Sequence, residues 1–299
     1  MMKAWHIVEQ TGPDGLRLVE GPRPSPGPRE VVVRVRANSL NYRDLMIAGG
    51  NYGPGIALPL VPLSDGAGEI AAAGEAVTRW KPGARVAGTF FQRWQSGPIK
   101  AEVFSSALGG ATGGMLAEYV ALSEDGVIGI PDHMSFEEAA TLPCAALTAW
   151  QALVTRGRVS ADQTVLVLGT GGVSIFGLQI AKMHGARAIV TSGSDEKLSR
   201  ARALGADGTV NYRTHPAWDD EVLRLTGGAG VDHVVEVGGH DTFEKSLRAL
   251  AMNGTVSVIG GVSGFSSSVQ LRDILAKNAL IRGIFVGNRD MFAAMNRAF

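Results

Sequence analysis

TVLVLGTGGVS, residues 164–174, begins with five residues, four of them apolar, turns through glycines and passes at once into a helical pattern over 173–184. Gly169 and Gly171 take the first two positions of the G-x-G-x-x-G dinucleotide fingerprint, with Ser174 in the third. The first glycine permits a tight turn out of the strand, and the second lets backbone approach a pyrophosphate. A small third residue lets helix and strand pack closely, and Ser174 is small enough to be tolerated. Free N–H groups at the helix start, at the positive end of the helix dipole, then receive phosphate oxygens. Thr170, Gly172 and Val173 complete the turn and are read with it as cofactor-binding residues. A glycine-rich turn alone is weak, but between a strand and a helix it reads as a nucleotide site. The bland alternative is a tight connection that holds no ligand.

Outward from this turn the chain divides in two. From about residue 131, strands and helices alternate: strands at 164–169, 188–192, 209–212, 231–237, 255–259 and 280–286, with helices between them. This alternation predicts a doubly wound parallel sheet covered by helices on both faces, an α/β Rossmann fold. Ser135 followed by Glu138 has the spacing of a capping box and opens a helix over 135–140. Residues 1–125 read as β-rich, with strands at 31–35, 69–73, 84–91 and 116–122, and a Gly/Ser-rich loop at 94–114. The expected domains are 1–125, β-rich, and 126–299, nucleotide-binding.

Composition narrows the function classes. The 299 residues carry 28 basic and 28 acidic side chains, so the formal net charge is zero and neither nucleic acid nor an anionic membrane is suggested as partner. Cys144 is the single cysteine, which excludes an intrachain disulfide and any multi-cysteine zinc site. Its expected place is a small core position, with no neighbouring histidine to make it a nucleophile. The six histidines are scattered without paired ligand spacing. The N-terminus lacks the apolar run of a secretory signal, and no apolar segment reaches membrane-spanning length, so a cytoplasmic protein is expected.

The strand after the turn addresses which nucleotide binds. An acid about 20 residues after the fingerprint commonly grips the adenine ribose of NAD. Here that strand ends Val190-Thr191-Ser192-Gly193-Ser194, with no carboxylate at its tip. Asp195 and Glu196 follow in a first helical turn, where the helix dipole favours acids. Ser192, Lys197 and Tyr212 are suited to a 2′-phosphate by hydroxyl donation and charge. A solvated helix face is the plain alternative for Lys197. NADPH is expected over NADH, with NADH left open.

GTGGVSIFGLQIAKMHGARAIVTSGSDEKLSRARALGADGTVNYR (169–213) resembles the cofactor domain of the medium-chain dehydrogenase/reductase superfamily. LNYRDLMIAGGNYG (40–53), VPLSDGAGEI (61–70), WKPGARVAG (80–88), GGMLAEYV (113–120) and LPCAALTAWQAL (142–153) extend the likeness over nearly the whole chain, in order. The resemblance implies a GroES-like catalytic domain beside a Rossmann domain, a homodimer, and an active site in the cleft. The zinc branch has a cysteine where this chain has Asn41, and a Gly-His-Glu stretch where it has Leu63-Ser64-Asp65. One carboxylate cannot replace the three protein ligands of catalytic zinc. The chain therefore looks similar to the zinc-free quinone oxidoreductase-like branch, with no zinc expected.

By the same resemblance Asn41, Asp44 and Tyr52 face the acceptor, and Thr148 approaches the nicotinamide. Asn41 can orient a carbonyl, and Tyr52 can polarise the acceptor or deliver a proton. The plainer alternatives are an early-helix acid for Asp44 and a loop aromatic for Tyr52. Gly238, Ile259, Phe285 and Val286 lie at or just beyond strand tips, where open α/β sheets bind ligands. Relatives normally return to the first domain through further strands and a helix, a return that is expected to be missing here. The expected activity is NADPH-dependent hydride transfer to a small-molecule acceptor, a quinone or an activated C=C or carbonyl. A zinc-dependent NAD(P) alcohol dehydrogenase and a non-catalytic nucleotide-binding paralogue are the alternatives. The edge strand 280–286 is expected to pair with its copy across a two-fold axis.

Overall fold

Val31, Val33, Ile70, Val86, Leu122 and Val127 come from short β-branched and apolar runs, and in the structure they form one buried cluster. The structure is a computed structural model and describes residues 1–53 and 55–299. The chain forms two compact units, one of residues 1–147 with 286–299 and one of residues 148–285.

In the first unit, β1 (Met2–Ile7) and β2 (Leu16–Gly21) form an antiparallel pair that the sequence pattern did not reveal. β3 (Glu30–Ser39), α1 (Tyr42–Ala48), β4 (Asp65–Ala73), β5 (Arg85–Gly88), β6 (Tyr119–Ser123) and β7 (Val127–Gly129) follow. These strands build a five-stranded antiparallel sheet in the order β6-β3-β4-β5-β7, the GroES-like half-barrel. The loop 94–114 is not wholly irregular, since Ala101–Ser106 winds into a 3-10 helix. α2 (Phe136–Ala140) starts as its spacing predicts: Ser135 Oγ accepts from the Glu138 amide at 3.1 Å, and Glu138 Oε2 accepts from the Ser135 amide at 2.8 Å.

The chain passes between units in a helical stretch. α3 (Leu147–Trp150) is flanked by π-helical turns at Leu142–Ala146 and Gln151–Thr155. The second unit then runs β8 (Thr164–Val167), α4 (Gly172–Met183), β9 (Arg187–Ser192), α5 (Asp195–Ala203), β10 (Gly208–Asn211) and α6 (Trp218–Leu225). β11 (Val231–Glu236), α7 (Phe243–Ala249), β12 (Leu250–Val258), α8 (Leu271–Lys277) and β13 (Leu280–Gly283) complete it. All pairings in this six-stranded sheet are parallel, in the order β10-β9-β8-β11-β12-β13. Relabelled from β8, this is the 3-2-1-4-5-6 order of a Rossmann sheet, whose ligand crevice opens where the order reverses, between β8 and β11. Leu166, Ile189, Val210, Val234 and Val256 fill the core from five strands.

Three expectations change. Residues 126–147 cluster with the first unit, and β13 ends at Gly283, so Phe285 and Val286 lie beyond the strand. The return to the first unit is also begun within this chain. α9 (Arg289–Ala298) packs there, with Phe292 and Met295 fully buried. The amides of Arg289 and Asp290 donate to the carbonyls of Trp94 and Gln95 at 3.0 Å each, and Asn296 Nδ2 donates to Gly129 O at 2.9 Å.

Candidate functional site

The second unit presents its turn as the fingerprint requires. Gly169 has φ +74°, the left-handed region that costs glycine nothing, and its N–H donates to Thr191 Oγ1 at 3.1 Å. Gly171 is the N-cap of α4 and is extended. A Cβ added at either glycine meets no atom within 4 Å, so the space above the backbone is open. The first amides of twelve-residue α4 have no intrahelical acceptor, an arrangement suited to receiving an anion. Thr170 is half-buried, Gly172 exposed and Val173 half-buried on this turn. Ser174 is buried and donates to Leu168 O at 2.6 Å, tying helix to strand. The close approach itself falls one turn later, at Gly177, whose added Cβ would lie 3.1 Å from Val167 Cγ1. The turn fits a dinucleotide.

Beside it lie the tips of β9 and β10. Ser192 is buried and opposite Asn211, and the Tyr212 amide donates to Ser192 O at 3.1 Å. Asp195 does not face a ribose hydroxyl freely, because its Oδ1 accepts from Asn211 Nδ2 at 2.8 Å. Lys197 is exposed in the first turn of α5. The sequence reading missed Arg213. A Cβ added at Gly193 would lie 2.9 Å from both Tyr212 Oη and Arg213 Nε, so these side chains share one small space with Gly193. The signal was present, a basic residue one place past the strand-tip tyrosine.

At the tip of β11 the structure places Glu236, also missed. Its carboxylate is wholly buried and accepts from the Gly238 amide at 2.7 Å. The Ile259 amide donates to Glu236 O at 2.8 Å. Thr148, buried, is the first residue of this unit and Phe285 its last, whereas Val286 belongs to the first unit, with φ +44°.

The first unit gathers a second group of polar residues around α1. Asn41 is the N-cap, and its N–H donates to Asp44 Oδ2 at 2.8 Å. Asp44 is thus an early-helix acid as well as a member of this group. Burial pushes its carboxyl up, opposed by the Asn41 N–H and by the Arg43 charge 3.5 Å away. Arg43 is buried, donates to Leu108 O at 3.0 Å, and lies 5.0 Å from the Tyr52 ring centre and 4.6 Å from that of Phe90. Tyr52 itself is exposed. Asp65, at the start of β4, is completely buried. Its Oδ1 accepts from Ser64 Oγ at 2.7 Å and its Oδ2 from the Cys144 amide at 3.2 Å. Burial raises its pKa to about 7, against the opposing effect of the Ser64 and Asn41 side chains. Cys144 is partly buried as a residue, and burial of its thiol, followed by the Asp65 charge, pushes its pKa well up. Asn41, Asp44 and Tyr52 are therefore linked through Arg43 and Asp65, two residues outside the sequence-derived set.

These residues do not fit catalytic zinc. Asn41 and Ser64 offer no thiolate or imidazole, the Asp65 oxygens already accept hydrogen bonds, and Cys144 favours its protonated form. Among the described residues, no group of three His, Cys, Asp or Glu side chains is placed to hold a metal.

A half-barrel joined to a Rossmann sheet, with a phosphate-type turn and a buried acid–amide group, defines a two-domain oxidoreductase. Residues 27–132 match the alcohol dehydrogenase GroES-like domain, and residues 172–299 match the zinc-binding dehydrogenase family. A zinc-type alcohol dehydrogenase-like protein of Schizosaccharomyces pombe is 45% identical over 274 residues, 90% of this chain and 79% of that protein. A quinone oxidoreductase of Pseudomonas aeruginosa is 34% identical, covering 94% and 80%. The crystal structure of an alcohol dehydrogenase from Sinorhizobium meliloti, described as putative, superposes with a TM-score of 0.93 at 44% identity, covering 99% and 87%. That of Escherichia coli quinone oxidoreductase complexed with NADPH gives 0.83 at 25%, covering 99% and 86%. The chain belongs to the medium-chain dehydrogenase/reductase superfamily, in its quinone oxidoreductase-like branch, and is an oxidoreductase.

Proposed function

We propose that the protein is an NADPH-dependent reductase that acts, without a metal, on a quinone or an activated C=C or carbonyl. The observation that carries the cofactor choice is the setting of Gly193: Tyr212 and Arg213 converge on it while Asp195 is engaged by Asn211. Arg213, Lys197, Tyr212 and Ser192 would hold the 2′-phosphate, and a guanidinium suits a phosphate by its forked donors. Gly171 and the first amides of α4 would hold the diphosphate. When bound, NADPH supplies the hydride. Asn41 orients the acceptor oxygen by its amide, and Tyr52, exposed beside Arg43, delivers the proton that balances the hydride. The NADPH-bound quinone oxidoreductase among the structural relatives supports the reading.

The test is NADPH oxidation with a panel of quinones and enones in metal-free buffer. Turnover there is expected, and its absence with every acceptor would sink the reading. Arg213→Ala is expected to raise the KM for NADPH about 10- to 100-fold and to leave that for NADH within about twofold, as for loss of one charge-assisted contact. We further infer a cytoplasmic homodimer. No helix among the described residues is long and apolar enough to cross a membrane. The edge strand β13 pairs only with β12 among the described residues, and it exposes Leu280 and Ile281.

A further inference from the structure

We propose that Glu236 is a positioning residue for the cofactor: its carboxylate fixes two glycine loops beside the crevice of the second unit, and through them the seat of the nicotinamide half. This rests on the nicotinamide-cofactor reading above. Glu236 ends β11, whose neighbours are β8, which leads into the phosphate turn, and β12, which leads into the 259–266 loop. It therefore stands where the strand order reverses.

The carboxylate is fully buried, and no Lys or Arg pairs with it among the described residues. Burying a carboxylate is expensive unless its oxygens are satisfied. Neutral donors satisfy them here, and all but one come from the loop that follows. Oε1 accepts from the amides of Gly238 (2.7 Å) and Gly239 (3.0 Å) and from Thr242 Oγ1 (2.7 Å). Oε2 accepts from Ser246 Oγ on α7. The loop so folded is stitched to the one after β12. Val262 N donates to Val237 O (3.2 Å), Ser263 N to Gly238 O (2.8 Å) and His240 N to Gly264 O (3.0 Å). Backbone packs on backbone at this seam. A Cβ at Gly239, which has φ +89°, would fall 2.2 Å from Gly264 O. A turn between a strand and a short helix needs one capping side chain. A buried carboxyl group that organises two loops is more than the turn requires, and both loops sit at the ligand end of the sheet. Glu236 is a positioning residue and not a direct ligand in this proposal. It acts through Gly238 and Ile259, to which it is bonded by side chain and backbone.

The test titrates NADPH and, separately, 2′,5′-ADP, which carries only the adenine half, into wild type, Glu236→Ala, Glu236→Gln and Thr242→Val. Binding is read by NADPH fluorescence and by calorimetry. Glu236→Ala is expected to weaken NADPH about 30-fold and 2′,5′-ADP less than about twofold, the scale of lost hydrogen bonds to a charged group. Glu236→Gln keeps an acceptor for the glycine amides and should recover to within about fivefold of wild type. Thr242→Val loses one donor and should weaken NADPH alone, about three- to tenfold. If Glu236→Ala does not fold, the Gln and Val variants carry the test. Equal weakening of both ligands, or of neither, in the folded variants overturns the role of Glu236 while leaving the cofactor reading intact. A wild type that binds neither ligand overturns the cofactor reading and this role with it.

Discussion

Asp65 is a completely buried carboxyl group, and at neutral pH it is balanced between charged and neutral forms. Its folded-state pKa of about 7 lies above the ordinary aspartate value of 3.8. The folded state therefore binds the proton more tightly, and the group costs stability as pH rises from about 4 to about 7. A rise of about three units corresponds to a loss on the order of 4 kcal/mol across that interval. Asp65→Asn removes the charge while keeping shape, so it is expected to match wild type near pH 4.5 and to be the more stable protein at pH 8. Urea unfolding at the two pH values checks this, and an unchanged difference between them would contradict it. The two fingerprint glycines should separate in the same way. Gly169→Ala forces a side chain into the left-handed region and should cost about 1–2 kcal/mol. Gly171→Ala is unstrained and should weaken NADPH without lowering the unfolding midpoint. The tight turn at Gly169 and Gly171 was legible because local spacing defines it. Arg43, Asp65 and Glu236 were not read as site residues, because burial and partners distant in sequence give them their chemistry.

Elements were legible where period and punctuation agreed. α4 starts and ends within a residue of its expected span, and α2 opens on the capping box. β1 and β2 escaped because their outward faces carry residues such as Trp5, Leu18 and Val19, which blur the alternation. α9 shows the value of tertiary context. Asn288 caps this amphipathic helix by accepting from the Met291 amide at 2.8 Å, and it donates to Gly97 O at 3.2 Å. Arg289 meets Asp125 at 2.7 Å. Burial works against ionisation of Asp125, but Arg289 and Arg79 together hold its carboxyl below the usual range. Phe292→Ala should cost about 3–5 kcal/mol, the range for emptying a buried aromatic site. A Phe292→Ala protein as stable as wild type in urea would mean that α9 does not anchor the first unit.

For the whole molecule, the apolar side chains on the last two elements of the parallel sheet are the notable surface. Leu271 and Leu275 of α8 are 79% and 82% exposed, next in sequence to the edge strand β13. Scattered apolar residues are ordinary, but a strand edge that pairs on one side only among the described residues and exposes Leu280 and Ile281 favours association. Ile281→Glu is expected to shift the proposed dimer to monomer in analytical ultracentrifugation, and a wild type that is already monomeric at tens of micromolar would end that proposal. The fold class followed from the sequence because alternation of strands and helices is repeated along the second half. The unit boundaries did not, because membership there is decided by packing rather than pattern. The chain leaves the first unit after Leu147 and re-enters it at Val286. A Cβ on Gly287 would sit 2.7 Å from the Leu147 side chain, so the points of exit and re-entry are neighbours. The nucleotide-binding unit is in this sense an insertion, a cassette whose two ends meet at one seam. Excising residues 148–285 and closing the gap with a few glycines should leave a half-barrel with its α9 still attached, and a foreign cassette with similarly spaced ends should be accepted at the same seam.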